Sequence, residues 1–213
     1  MKNVSGSFNF LFYQSGDPMK LSEKKILRKK EQILLSAIEI VNRRGYSGAT
    51  MEEIAAELLM TKGSLYYYFK NKSDLMYQCH NFVLSQATED LREILNQGEG
   101  SPTEILVKMI STHMLYAIEE KEVFNLIIEP KRFFNEEQLD LVLKLRKEYE
   151  SLFDQIIKRG ITSGDFCVEE PSIERMIILG AMNWVQQWYN PNGRLLKEEV
   201  IDKYTKSILK ILK

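Results

Sequence analysis

Residues 61–75 read TKGSLYYYFKNKSDL, and this stretch predicts a short helix with one buried side and a polar, aromatic exposed side. Thr61 is a residue type that caps a helix, and Lys-Gly-Ser at 62–64 places small or cationic groups on the first turn. Leu65 and Phe69 are four positions apart and face inward, which spreads the three tyrosines between them over the other faces. Because so short a helix is not stable alone, neighbouring helices must present its first turn to a partner. In a helix-turn-helix, that partner is the major groove of DNA.

The rest of the chain predicts an all-α protein of about nine helices. From residue 22 onward, apolar residues recur at three- and four-residue spacing, and no alternating strand pattern extends beyond a few residues. The first helix is expected to end at Gly45, a natural C-terminal cap. Capping boxes start two others, at Thr50 with Glu53 and at residues 101–104, Ser-Pro-Thr-Glu. The expected helix starts lie near residues 22, 50, 61, 73, 102, 121, 135, 171 and 197, with the sixth helix running to 132.

Composition indicates a globular, cytoplasmic protein that does not enter a membrane. Of the 213 residues, 44% are hydrophobic and 28% are charged, a balance that excludes disorder of the whole chain. No apolar run approaches the roughly 20 residues needed to span a bilayer. Cys79 and Cys167 form no CxxC pair, and two such cysteines suit a reducing cytoplasm, where they are expected to be inert thiols.

Charge is distributed unevenly along the chain. The net charge is −1, but residues 21–72 contain ten Lys or Arg against six Glu, a local balance of +4 that leaves −5 for the remainder. A basic head on an acidic body suits a protein that binds phosphates at one end. A solvated, charged helix face would produce the same asymmetry.

The first twenty residues stand apart from this pattern. FNFLFY at residues 8–13 is too short for the apolar region of a signal peptide, and no small-residue cleavage site follows it. Met19 lies just before the lysine-rich start of the first helix. Residues 1–20 are therefore either an N-terminal arm that docks on the body or a mis-assigned start.

Residues 54–75, IAAELLMTKGSLYYYFKNKSDL, resemble the DNA-reading motif of the TetR family of transcriptional regulators. In that family Ile-Ala precedes a turn glycine, a Ser or Thr cap, Lys-Gly-Thr or Lys-Gly-Ser, Leu-Tyr, further aromatics and Lys-x-Lys. One position departs from the pattern: Leu59 stands where the family usually has glycine, and a left-handed leucine costs about 1 kcal/mol. The resemblance implies a helix-turn-helix domain of three helices over 21–72 and a helical-bundle ligand-binding and dimerisation domain over 73–213.

The same resemblance assigns two sets of contacts with double-stranded DNA. The candidates for base-edge or groove contacts are Lys62, Gly63, Ser64 and Tyr66. The candidates for phosphate contacts are Thr50, Tyr67, Tyr68 and Lys72. Phenol hydroxyls and an ammonium group bind phosphate oxygens and so position the helix without reading the sequence. The alternative for the tyrosines is a place in the core, and it is strongest for Tyr66.

Residues 180–204, GAMNWVQQWYNPNGRLLKEEVIDKY, resemble the C-terminal segment of a TetR sub-branch associated with fatty-acid, steroid and related acyl-CoA catabolism. In the family the last two helices form the dimer interface. The interface candidates are Gly180, Ala181, Trp184, Trp188, Tyr204 and Ile208. The two small residues would permit close helix approach and the tryptophans would anchor it, with ordinary core packing as the alternative for each tryptophan.

Together these features predict a homodimeric transcriptional repressor that a small apolar ligand releases from a palindromic operator. A single short helix makes too few contacts for specific affinity, whereas two heads related by a two-fold axis read a palindrome. Acyl-CoA is the first candidate ligand, and no cofactor is expected. The candidate pocket residues are Met109, His113, Met114, Phe124, Phe153 and Asn183. Core packing is the alternative for the histidine and the methionines.

An enzyme is the main competing class, and the sequence argues against it. His80 and His113 are the only histidines, they lack metal-ligand spacing, and no GxSxG, HExxH or P-loop pattern occurs. A second alternative is a helical small-molecule-binding or protein-interaction module that does not act on DNA. A gel shift with the DNA flanking the gene distinguishes this module from a regulator.

Overall fold

The computed structural model describes residues 20–97, 100–125 and 134–213, and within these ranges the chain forms nine α-helices and no strand. The helices are α1 (Leu21–Gly48), α2 (Met51–Glu57), α3 (Lys62–Tyr68), α4 (Lys72–Gln97), α5 (Pro102–Glu119), α6 (Lys121–Asn125), α7 (Glu136–Ser163), α8 (Pro171–Trp188) and α9 (Lys197–Ile211). The all-α prediction is confirmed. The predicted N-terminal arm before Lys20 and the end of the helix expected at 121–132 lie outside the described residues.

The chain divides into two compact units. Of the described residues, the first unit comprises 20–86, 122–125 and 134–142, and the second comprises 87–97, 100–121 and 143–213. The domain boundary predicted at residue 72 lies at the start of α4, a helix that contributes residues to both units, and the two predicted domains stay a prediction.

In the first unit, α1 is the first helix of the predicted helix-turn-helix domain at 21–72, which we call the head. It buries one apolar face, formed by Ile33, Leu34, Ala37, Ile38, Ile40 and Val41. Helical geometry is interrupted at Gly45, where φ is 74°, a conformation that favours glycine. The predicted stop at Gly45 is therefore a bend, after which the helix resumes as far as Gly48. Thr50 then caps α2 by accepting a hydrogen bond from the Glu53 N–H at 3.2 Å.

The turn between α2 and α3 has the geometry of a glycine turn although it holds a leucine. Leu59 has φ 53°, in the left-handed region. Its N–H donates to the Ala56 carbonyl at 3.0 Å, and the Met60 N–H donates to the Ala55 carbonyl at 2.8 Å. This pair of bonds closes the end of α2 as in a Schellman motif. The departure from the family pattern therefore leaves the turn geometry unchanged.

The second unit is a helical bundle in which α8 and α9 pack on α5. The Ser101 side chain caps α5 and Pro102 occupies its first turn, as the sequence predicted. The core is filled by side chains such as Leu106, Ile110, Met182 and Val185. Each fully buried side chain of this size contributes roughly 1.5–3 kcal/mol, so this core is the main source of the unit's stability.

Candidate DNA-binding surface and ligand-binding region

Two buried residues and one cap hold α3 in place. Leu65 and Phe69 are 0% and 1% exposed and anchor one side of the helix in the core of the first unit. At its start, the Ser64 N–H donates to the Thr61 hydroxyl oxygen at 3.1 Å. This anchoring turns the opposite side of α3 towards solvent, as the spacing of the apolar residues predicted.

The predicted base-contact set lies on this exposed side. Lys62, Gly63 and Ser64 are exposed, and Tyr66 is 42% exposed, so the core alternative for Tyr66 does not apply. The Lys62 ammonium forms an ion pair with the Glu52 carboxylate of α2 and lies 5.8 Å from the centre of the Tyr66 ring. A Cβ added at Gly63 would lie 4.0 Å from Thr61 Oγ1, at the limit of ordinary van der Waals contact. Packing within the protein therefore does not require glycine at 63, whereas close approach of an external partner would.

The predicted phosphate set is more varied. Tyr67 is 73% exposed, and its ring meets that of half-buried Tyr68 edge-on at 5.1 Å. Thr50 is exposed, but its hydroxyl is engaged in the capping box with Glu53. The two tyrosines can present their hydroxyls to an external phosphate, and the Thr50 hydroxyl can turn its proton from Glu53 Oε2 to a phosphate while it still accepts from the Glu53 N–H.

The Lys72 ammonium makes contacts within the protein as well as being a candidate for phosphate binding. Its ammonium donates to the Tyr46 carbonyl and lies 4.4 Å from the centre of the Tyr46 ring. Burial lowers the pKa of Lys72, with the Glu53 charge opposing that shift. Lys72 therefore ties the first turn of α4 to the bend at the end of α1. The sequence offered no signal for this contact, because the two residues are 26 positions apart.

Ion pairs join the glutamates of α2 to cations of the head. Glu52 pairs with Lys62, Glu53 with Arg44, and Glu57 with Arg43 at 3.5 Å. The count of basic residues in the sequence did not reveal that several are already paired. The net charge of +4 already includes these glutamates, and pairing shows which cations would have to leave a carboxylate to bind a phosphate.

A buried polar cluster lies in the second unit, and we call His113, Tyr149 and Asn183 the polar trio. His113 Nδ1 lies 2.8 Å from the Tyr149 hydroxyl, and His113 Nε2 lies 3.1 Å from Asn183 Oδ1. Burial lowers the pKa of His113 to about 4, with the Asn183 hydrogen bond opposing that shift. Burial also raises the pKa of Tyr149. All three side chains are therefore neutral at pH 7 and link α5, α7 and α8.

The other predicted pocket residues divide between the units. Met109, Met114 and Phe153 are buried in the second unit, and the Phe153 ring centre lies 6.1 Å from that of His113. Phe124 is also buried and belongs to the first unit. Tyr149 was not among the predicted pocket residues. Nothing local in the sequence marks its hydroxyl as the partner of a histidine 36 positions away.

An apolar face on α8 contains most of the predicted interface residues. Trp184 and Trp188 are 63% and 45% exposed, so core packing does not account for them. Further large side chains on this helix are about half exposed, and the sequence reasoning did not assign them to the interface: Ile173, Met176 and Ile177. Their spacing of three, four and seven positions along the same helix as exposed Gly180 was the available signal.

On α9 the two interface candidates differ. Tyr204 stacks on Trp188 with ring centres 6.2 Å apart, and its hydroxyl accepts a hydrogen bond from Trp188 Nε1 at 3.2 Å. Ile208 is only 2% exposed, inside the second unit. We therefore do not carry Ile208 into the proposed interface, because a side chain buried in its own protomer cannot contact a partner.

The described residues also limit other chemistries. Over 20–97, 100–125 and 134–213, no group of three or more His, Cys, Asp or Glu side chains could hold a metal ion. Across the same ranges no helix is both long and apolar enough to cross a membrane.

A capped α3 with an exposed Lys-Gly-Ser turn, packed on α2 after a tight turn, defines a helix-turn-helix protein with a helical body. A family model described as bacterial regulatory proteins, tetR family, matches residues 33–79. A second, the tetracyclin repressor-like C-terminal domain, matches residues 99–212, more than half of the chain. The chain therefore belongs to the TetR family, and it is a DNA-binding transcriptional regulator, not an enzyme, as predicted.

Similar proteins agree in sequence and in fold. The HTH-type transcriptional repressor KstR2 of Mycolicibacterium smegmatis is 26% identical over 187 residues, covering 85% of this chain and 89% of KstR2. A TetR/AcrR-family regulator from Thermobifida fusca has a TM-score of 0.74 at 26% identity, covering 87% and 99% of the two chains. AibR in complex with isovaleryl coenzyme A and operator DNA has a TM-score of 0.70 at 25% identity, covering 86% and 97%.

Proposed function

We propose that this regulator is a homodimeric repressor that leaves a palindromic operator when a small apolar or acyl-CoA ligand binds. The observation that carries the DNA-binding part is the exposed first turn of α3, where Gly63 is not required by packing within the protein. Lys62, Ser64 and Tyr66 would contact base edges from this turn, and Tyr67 and Tyr68 would bind phosphates beside it. Lys72 would combine its tie to Tyr46 with a phosphate contact.

The dimer is proposed to form through the apolar face of α8. Ile173, Met176, Ile177, Trp184 and Trp188 are each about half exposed. Soluble monomers rarely expose so many large apolar side chains on one helix, because the hydrophobic effect favours covering them. A second copy offers the same face and would cover it by two-fold symmetry. Gly180 would let the two α8 backbones approach closely.

The ligand is proposed to bind among Met109, Met114 and Phe153 beside the polar trio. These side chains are apolar or neutral, so the part of a ligand that enters must be uncharged, because burying an unpaired charge is very costly. An acyl chain with its thioester carbonyl meets this condition. The phosphates of coenzyme A would have to remain outside the buried core. AibR, whose complex contains isovaleryl coenzyme A, supports the same ligand class by analogy.

Release of DNA requires the ligand to prefer the conformation that does not bind DNA. A preference of roughly 3 kcal/mol or more is needed for a large shift in occupancy. The change would reach the head through α4, which contributes residues to both units. DNA affinity and ligand affinity must then fall by the same factor when the other partner is bound.

The test is fluorescence anisotropy with labelled duplexes taken from the DNA that flanks the gene, at several salt concentrations. We expect tight binding to one palindromic duplex and its loss when an acyl-CoA is added. The free fatty acid and coenzyme A alone serve as controls for the ligand class. No binding to any flanking duplex at low salt would contradict the regulator itself, whereas binding that no acyl-CoA weakens would contradict only the ligand.

Tyr149→Phe tests whether the ligand binds beside the hydroxyl of the polar trio. The variant removes the trio's hydroxyl and keeps the ring, so the apolar packing should be retained. We expect DNA binding to be unchanged and acyl-CoA affinity to fall by about a factor of ten, the effect of losing one buried hydrogen bond. Unchanged acyl-CoA affinity would place the ligand away from the trio.

A further inference from the structure

At the start of α3, the proposed DNA-reading helix, the Lys62 ammonium is already paired with a carboxylate. Lys62 is the first residue of α3, and its ammonium is paired with the Glu52 carboxylate from the first turn of α2. Both side chains are more than half exposed, at 56% and 58%. The pair therefore lies at the surface where the proposed DNA contact is made, rather than in the core.

We propose that Glu52 competes with DNA for Lys62 and thereby sets the DNA affinity of the head. This inference rests on the proposed contact between Lys62 and DNA. In the free protein, the carboxylate neutralises the ammonium. When DNA binds, Lys62 must leave Glu52 for a base edge or a phosphate, so breaking the pair takes up part of the binding free energy.

The electrostatics of the pair support a persistent contact at neutral pH. The hydrogen bond from Lys62 lowers the pKa of Glu52. The same bond raises the pKa of Lys62. Both groups therefore remain charged, and mild acid does not separate them. Competition by DNA, or a substitution, is the way to free the ammonium.

A purely structural role for the pair is poorly supported. The packing of α2 and α3 is maintained by buried Ile54, Ala55 and Leu65 and by the two backbone bonds of the turn at Leu59. An ion pair this exposed contributes little to folding, because water screens it. The Glu52–Lys62 pair therefore lowers DNA affinity without being needed for folding, as expected if Glu52 limits DNA binding.

The experiment compares Glu52→Gln with Glu57→Gln in the full-length protein. Glu57 is a matched control: it lies on the same helix, its side chain is 52% exposed, and it pairs with Arg43 rather than Lys62. Both variants remove one negative charge from α2. By anisotropy on one flanking duplex and one unrelated duplex, we expect Glu52→Gln to bind about threefold more tightly than Glu57→Gln at low salt. Its salt slope should be steeper by up to about one ion.

Repeating both substitutions in a Lys62→Gln background distinguishes competition for Lys62 from general charge repulsion between Glu52 and DNA. If Glu52 acts through Lys62, the advantage of Glu52→Gln over Glu57→Gln disappears in that background. An advantage that persists would reflect general charge repulsion and would overturn the inference, as would equal affinities of the two single variants. Thermal unfolding of every variant confirms that each is folded.

The proposed contact of Lys62 with DNA is tested separately, by the DNA affinity of the single variant Lys62→Gln. Lys62→Gln alone should weaken binding to the flanking duplex. If it does not, the proposed contact of Lys62 with DNA fails, and the competition by Glu52 fails with it. If it does, while the Glu52 and Lys62 substitutions have additive effects, the contact stands and only the competition is excluded.

Discussion

Leu59 is a residue whose backbone conformation conflicts with its side chain. It adopts φ 53° and is 96% exposed, so its side chain gains almost no burial in return for the left-handed backbone. Both hydrogen bonds that close the α2–α3 turn are nevertheless made, so interactions in the rest of the head offset the backbone strain at Leu59. Strain of this kind can be removed without touching the DNA-binding surface.

We predict that Leu59→Gly stabilises the protein by about 1 kcal/mol, because glycine adopts positive φ at little steric cost. Leu59→Ala is the matched control, since it removes the same exposed side chain but keeps the Cβ and therefore the strain. Chemical denaturation of the three proteins measures the difference. A glycine variant no more stable than the alanine variant would mean that the strain is relieved in another way.

Lys72 combines an intramolecular contact with a proposed phosphate contact, and two substitutions separate these roles. Lys72→Gln can still donate to the Tyr46 carbonyl but carries no charge, whereas Lys72→Ala loses both. We expect both variants to weaken binding to all DNA sequences and to reduce the salt slope by about one. Only the alanine variant should also unfold more easily, by about 1 kcal/mol. A glutamine variant with the wild-type salt slope would leave Lys72 with the structural role alone.

Among the elements, α5, α7 and α8 are joined by the polar trio rather than by apolar contacts alone. His113 is neutral in the fold because burial lowers its pKa to about 4, below the ordinary value of 6.5. The unfolded chain therefore takes up a proton at His113 before the folded protein does. The stabilising contribution is complete above the ordinary value and is lost as the pH falls towards the folded value.

We therefore predict that unfolding free energy drops by roughly 2–3 kcal/mol between about pH 7 and pH 4.5 through His113. His113→Gln removes this titration and should lower that pH dependence by the same amount, while the carboxylates common to both proteins cancel in the comparison. Urea denaturation across this range measures both slopes. Identical slopes would show that His113 has similar proton affinity in the folded and unfolded protein.

For the whole molecule, the proposed dimer makes DNA affinity dependent on the face of α8. Ile177→Glu places a charge in the centre of that face, and burying it between two protomers would be strongly unfavourable. We expect a monomer by light scattering and a loss of palindromic DNA binding of at least about tenfold. Leu143→Glu is the control, because Leu143 is 45% exposed on α7 and lies outside the proposed interface. Dimers that persist in Ile177→Glu would move the interface elsewhere.

Local signals in the sequence were sufficient for the helices and for the face of α3 that is exposed. The caps at Thr50, Thr61 and Ser101 are each decided within a few residues, because capping bonds span three to five positions. The apolar spacing of α3 likewise determined which side is buried. These features follow from short-range sterics and hydrogen bonding.

Only the tertiary structure decided which side chains meet. The pairs Lys72–Tyr46, His113–Tyr149 and His113–Asn183 join residues 26, 36 and 70 positions apart, so they depend on how helices pack. The same packing buried Ile208 within its own protomer and placed Phe124 in the first unit. It also set Glu52 against Lys62 across the turn between α2 and α3. The sequence by itself determined that this protein presents a DNA-reading helix, and the fold determined which of its charges are free to bind.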